Sequence, residues 1–463
     1  MSEALSERAM ALAGPLVVKE VRQALRTRTF GLLFGVLLTA CFFLAVFAWA
    51  VGSERDRLGP TIFALYLGVL GTMCFFVIPF TAFRSLVREL EDETWGVLTL
   101  TGLSSADIVR GKWLSAMSQA ALYASVCAPF MLFSYFLNGV DVIQSVMALC
   151  LVSGWTAILT AVALGIGTLP HGRLMRTVVH FVVLAVLGGG TLVGAIVGLI
   201  LAKDSQRLLV DLVAVLGRVI FSWALTWLLL RVSAAGVALP EEAASRRARS
   251  ALGAVTVLAL VFKVVMFVTA HGTGRDAEVG QALMCLFLTL AGVVAVSERD
   301  GWSSRLPASM RFKPGALRSA LLVVLLLALS TATWLVLGVS GAGSVTPRAV
   351  LAIPLYPLLY LSLAVVLGRL TPLRSLGEGP ASMVAFVVVV VLGVLGSLFV
   401  ASAAGRLDHR IYNAFNPILG VVNFIERGSN SDMEWVFGVL CAVTFGAVLL
   451  AGLTLRARDG ARS

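Results

Sequence analysis

Residues Glu89 to Trp113 read ELEDETWGVLTLTGLSSADIVRGKW, a polar, charge-bearing segment between two uncharged apolar runs, each long enough to cross a membrane as a helix. That contrast belongs to a connection between two crossings. Ser104 followed three residues later by Asp107 is a capping box, which predicts a stiff helix starting there and running through Lys112 into the next apolar run. Gly111 and Lys112 do not make a phosphate loop. Such a loop needs a Gly where Ala106 stands and a Ser or Thr where Trp113 stands.

The rest of the chain has the same character. Of 463 residues 59% are hydrophobic and 13% charged, with a mean hydropathy of +0.95, whereas soluble domains carry about 25% charged residues. This composition predicts an all-α integral membrane protein with about 12 transmembrane helices. The runs lie near 31 to 52, 60 to 83, 113 to 137, 143 to 169, 177 to 201, 208 to 230, 251 to 270, 280 to 297, 319 to 340, 349 to 368, 381 to 403 and 435 to 455. They are continuously apolar rather than alternating, which favours helices over a barrel.

With both termini placed in the cytoplasm, the inner segments carry 25 Lys and Arg and the outer loops 9, the distribution expected of a multi-pass protein oriented that way. The segment Glu89 to Lys112 is then cytoplasmic. The net charge of +11 is dispersed over the inner segments without an aromatic-interleaved patch, so topology and membrane lipids account for it and nucleic acid does not. All six Cys fall within the apolar runs at no metal-ligating spacing; neither a metal site nor a disulfide framework is expected. With no cleavage site near the N-terminus, the first run is itself the expected targeting signal.

In pattern, the opening segment reads E-x-E-x-x-T-W-x-x-L-x-x-T-x-L-S-x-x-D-I-V-x-G-K. It resembles the cytoplasmic signature after the second span of bacterial ABC-2 type transporter permeases, E-R-E-x-G-T-x-x-x-L-x-x-T-P-L-S-x-x-E-I-x-x-G-K. Glu89, Glu91, Thr94, Leu98, Thr101, Leu103, Ser104, Asp107, Ile108, Gly111 and Lys112 carry the likeness; Glu93 stands where the family has Gly, and Gly102 where it has Pro. The resemblance implies a type V exporter-like architecture and a permease subunit in the bacterial cytoplasmic membrane that exports its substrate. It further implies that the loop 84 to 112 docks on a separate ABC ATPase subunit. Trp95 and Leu98 would then fill a groove on that partner, with Glu89, Glu91 and Asp92 facing its basic rim. ATP and Mg would be held by the partner, leaving this chain without a cofactor and without catalysis of its own.

The same resemblance frames the other segments. Residues 1 to 30 form a cytoplasmic N-terminus in which 16 to 29 read as an interfacial elbow helix. Leu16, Val17, Val21, Ala24 and Leu25 form its apolar side, while Lys19, Arg22, Arg26 and Arg28 face headgroups. A linker at 240 to 250 divides two six-span halves, 31 to 239 and 251 to 463. Glu298, Arg299, Asp300 and Trp302 look like a second coupling loop, within 297 to 318. Two readings follow: an internally duplicated pseudo-dimer, or a homodimer of twelve-span subunits. Asp211, Arg218 and Lys263, with His180, are the ionisable residues inside the runs, and the first three are candidates for an intramembrane polar path. Gly190, Gly194 and Gly198 have small-xxx-small spacing and predict close helix packing. In the long external loop 404 to 434, Asn416 and Pro417 predict the start of a short helix, either a gate or a plain connection.

Two other classes compete. An ion-coupled secondary transporter would need carboxylates or His at membrane depth, and nine of the twelve runs have no ionisable side chain. A membrane-embedded enzyme would have to use the external residues Asp408, His409, Arg410 and Asn413, which follow no catalytic spacing.

Overall fold

An apolar run in lipid has no water to bond its N–H and C=O groups, so each run closes its hydrogen bonds internally as a helix. The computed structural model describes residues 18–23, 25–51, 58–91, 104–136, 141–168, 173–203, 208–238, 244–269, 281–282, 284–289, 292, 316–339, 347–368, 378–403, 415–417, 419–427 and 432–460. Among these residues the chain is helical and carries no strand. It divides into two compact units, Met1–Ala244 and Ser245–Ser463.

In the first unit a helical segment at 18–23 precedes α1 (Arg28–Val51), α2 (Leu58–Thr72), a π turn (Met73–Val77), α3 (Ile78–Glu91), α4 (Ser105–Phe136), α5 (Val142–Gly167), α6 (Arg173–Lys203) and α7 (Leu208–Val237). The π turn has a local cause. Pro79 lacks an N–H and its ring would strike the carbonyl of Phe75, and the wider turn just before it relieves that clash. The Ile78 N–H accordingly donates five residues back, to Met73. On α1, Leu37, Cys41 and Ala48 are fully buried at helical spacing while Leu32, Phe42, Phe43, Phe47 and Trp49 are exposed, leaving one narrow face on the bundle and a wide one for acyl chains. The Cys41 and Cys127 thiols meet at 3.5 Å across the α1–α4 contact.

Small residues let α5 approach its neighbours. A Cβ on Gly154 would lie 2.3 Å from Ser222 Oγ of α7. On α6, Cβ atoms at Gly190 and Gly194 would lie 2.7 Å from Leu159 and Phe75, and Trp155 Nε1 donates to the Gly190 carbonyl at 3.0 Å. Gly198 belongs to α6, but its side-chain surroundings fall outside the described residues. The glycine spacing therefore serves packing at two positions, by letting backbone and indole come within hydrogen-bonding distance.

The second unit holds α8 (Ala244–Thr269), α9 (Ala316–Val339), α10 (Pro347–Ala352), α11 (Leu355–Leu367), α12 (Glu378–Ala403), α13 (Leu419–Arg427) and α14 (Asp432–Gly460). The single run expected at 349 to 368 is interrupted between α10 and α11 at Ile353 and Pro354, where proline removes a helical hydrogen bond. Tyr356, Leu359, Tyr360, Phe424, Met433, Val436 and Leu440 form one core among α11, α13 and α14. Gln281 is fully buried and bonds both Ser330 (2.7 Å) and Thr331 (3.1 Å) on α9, a polar clasp of the kind that joins helices in lipid.

Among the described residues eight helices are long and apolar enough to cross a membrane, from Arg28–Ala50 to Met433–Thr454. Shorter apolar stretches occur at Val179–Leu192, Ala320–Val336 and Ala385–Ser397. Of the run expected at 280 to 297, only 281–282, 284–289 and 292 are described. The fold is thus an all-α, multi-pass membrane architecture.

Candidate functional site

The sequence expectation treats residues from 84 onward as loop, but α3 continues to Glu91. Ala82, Phe83, Leu86 and Val87 are buried on one face of it, and Arg84, Arg88 and Glu91 are exposed on the other. That amphipathic pattern is enough to carry a helix past the end of the apolar run. Ser104 then starts α4. Its hydroxyl accepts the Asp107 N–H at 3.3 Å and donates to the Asp107 carboxylate at 2.5 Å, while its carbonyl accepts from Asp107 and Ile108.

One side chain ties the two helix ends together. Lys112 is 3% exposed, about two turns into α4, and its Nζ donates to Glu89 Oε1 at 2.6 Å and to Ser85 Oγ at 2.9 Å. Ser85 and Glu89 are four apart on α3, so both face the lysine. A second carboxylate comes from the segment at 18–23, where Glu20 Oε1 lies 3.5 Å from the same Nζ. Three chain segments thus converge on one buried ammonium group. Removing a charge from water is expensive unless it is paired and bonded, and here the short Glu89 bond supplies the pairing.

The base of α4 is fixed on its other sides as well. Ser105, fully buried, donates from Oγ to the Val237 carbonyl at the end of α7 at 3.5 Å. Trp113 Nε1 donates to the Ala157 carbonyl of α5 at 3.2 Å, and its ring meets Trp223 of α7 edge to face at 5.5 Å. Gly111 is buried, whereas Asp107 and Glu91 remain exposed at the rim. The arrangement is a joint packed at its base, with Asp107, Glu91, Arg84 and Arg88 exposed around it.

The structure brings Glu89, Ser104, Asp107, Gly111 and Lys112 to this joint, with Glu91 at its edge. Thr94, Trp95, Leu98, Thr101 and Leu103 lie outside the described residues, as do Glu298, Arg299, Asp300 and Trp302. Asp211 and Arg218 are both on α7, Arg218 exposed and Asp211 without a described side chain; Lys263, half-buried, is on α8 in the other unit. His180 packs edge to face on Phe83 at 5.2 Å, an aromatic contact inside the first unit. No group of three or more metal-ligating side chains occurs among the described residues.

Sequence reasoning missed Glu20 and Ser85 as partners of Lys112. A signal existed for the first: Glu20 is the only acid between Lys19 and Arg28, an odd choice in a segment otherwise selected for positive charge.

Outside the joint, Asn416 marks the start of the short helix α13. It is 1% exposed, its Oδ1 accepts the Leu419 N–H at 3.0 Å, and its Nδ2 donates to Ser397 Oγ of α12 at 2.7 Å. Tyr360 donates to the neighbouring Phe415 carbonyl at 2.5 Å, and Phe424 of α13 is fully buried. This helix is therefore bolted to α11 and α12 at its base. Asp408, His409, Arg410 and Asn413 lie outside the described residues.

No family model, curated protein or solved structure matches the chain.

Proposed function

We propose that this chain is the transmembrane permease subunit of an ABC exporter, with twelve spans in two six-helix halves and its motor on a separate ATPase subunit. The observation that carries the reading is the buried Lys112 joint, which ties the end of α3 to the start of α4 and lies against Glu20 of the N-terminal segment. A motor that closes and opens on nucleotide must push on something stiff, and a capped helix anchored at its base by Ser105 and Trp113 transmits force along its axis. Trp95 and Leu98 would offer apolar anchors to the ATPase, with Glu91 and Asp107 as exposed carboxylates for its basic groups. A second contact would come through Glu298, Arg299, Asp300 and Trp302.

Under this reading ATP and Mg bind the partner, and this chain makes and breaks no covalent bond. Substrate would cross the membrane as the partner's cycle drives the spans between two arrangements. The test is purification of the native complex in mild detergent. An ATPase subunit should co-purify with the wild-type chain and be depleted at least tenfold with Trp95→Ala, the size of a central aromatic anchor's loss. A chain that purifies without any ATPase, or a cysteine at position 95 that reacts only with reagents added outside, sinks the proposal.

A further inference from the structure

The N-terminal helical segment has two chemically different sides. Val18, Glu20, Val21 and Leu25 are half-buried, whereas Lys19, Arg22, Gln23 and Arg26 are exposed, followed by exposed Arg28 at the start of α1. At about 100° per residue, Lys19, Arg22 and Arg26 fall on one narrow arc and Glu20 on the far side of the helix. Thr27 accepts the Phe30 N–H at 3.2 Å and opens α1, so the chain turns from this segment directly into its first crossing. With α1 crossing the membrane, the exposed cations would lie at its surface, where anionic headgroups attract them. Covalent continuity with a crossing helix is why the occupant of this basic side is an anionic lipid surface rather than an acidic protein.

The opposite side carries the contact with the joint. Lys112 Nζ is 2.6 Å from Glu89 and 3.5 Å from Glu20, so the first pair is closed and the second is loose. A shift of the N-terminal helix by an ångström would change the Glu20 contact and leave the Glu89 bond intact. We propose that anionic headgroups bound by Lys19, Arg22 and Arg26 seat this helix so that Glu20 engages Lys112, and that lipid charge thereby sets how firmly the α3–α4 joint is held. This adds a lipid regulator to the site under Proposed function and takes from that reading only the joint's cytoplasmic placement. Coupling of this kind is reciprocal: disturbing Glu20 must alter the response to lipid although Glu20 does not face it.

The sign separates this from simple charge attraction. Glu20→Gln removes a negative charge near an anionic surface, so attraction alone predicts tighter lipid contact; loss of the seating contact predicts weaker. The full chain is reconstituted in phosphatidylcholine vesicles with and without phosphatidylglycerol, and amide hydrogen exchange is followed over 18–25, 85–91 and 104–112. In the wild type, phosphatidylglycerol should slow exchange in all three stretches by about fivefold or more. Arg22→Gln with Arg26→Gln, both on the exposed side, should abolish the effect everywhere. Glu20→Gln should abolish it at 85–91 and 104–112 and reduce it at 18–25. A joint indifferent to phosphatidylglycerol in the wild type overturns the proposal, as does a Glu20→Gln chain that responds as strongly as wild type. No ATPase is present in this experiment, so its failure and the failure of the transport reading are distinguishable.

Discussion

Lys112 is buried with its Nζ bonded to Ser85 and Glu89, so the first unit should be sensitive to its replacement. Lys112→Met would remove the cation that Glu89 and Glu20 share, a loss of about 2 kcal/mol since both carboxylates keep some contact with solvent. Thermal unfolding in detergent should show it as a clear drop in midpoint, and exchanging the two charges in Glu89→Lys with Lys112→Glu should recover part of it. Gly393 is sensitive for a steric reason, because a Cβ there would lie 1.9 Å from Tyr360 Oη, the hydroxyl that donates to Phe415. Gly393→Ala should destabilise by about 2 kcal/mol and Tyr360→Phe by about 1 kcal/mol. In a double-mutant cycle read by thermal unfolding, the pair should cost less than the sum, since removing the hydroxyl makes room for the methyl.

Helix starts and helix faces respond to different changes. Ser104→Ala removes the cap of α4 and should lower stability by about 1 kcal/mol, with faster hydrogen exchange confined to the first turn. Asn416→Ala breaks both the cap of α13 and its bond to Ser397, so exchange over α13 should rise more than over α14. The glycines of α6 provide an internal control. Gly190 faces Leu159 at 2.7 Å, whereas Gly189 has nothing within 4 Å. Gly190→Ala should destabilise the contact with α5 and Gly189→Ala should be neutral or slightly stabilising, as measured by unfolding of the purified chain.

At the scale of the molecule, the first unit has a continuous core of its own, from Leu37 on α1 to Ala234 on α7. Residues 1–244 expressed alone should therefore insert and keep the Lys112 joint, seen as unchanged exchange protection over 104–112; loss of that protection would show that the joint depends on the rest of the chain. The membrane class, the apolar runs and the starts of α4 and α13 were legible in the sequence alone, because hydropathy and capping are set by residues within a few positions of one another. The amphipathic end of α3 was misread as loop, since an apolar-run criterion stops where charges begin although helical periodicity continues to Glu91. What only the tertiary structure decided were the pairings: Lys112 with Glu20 and Ser85, Gly190 rather than Gly189 against α5, Tyr360 beside Gly393. Those depend on which faces of distant helices meet. Local sequence says that a face exists, and only packing across the bundle says what lies against it.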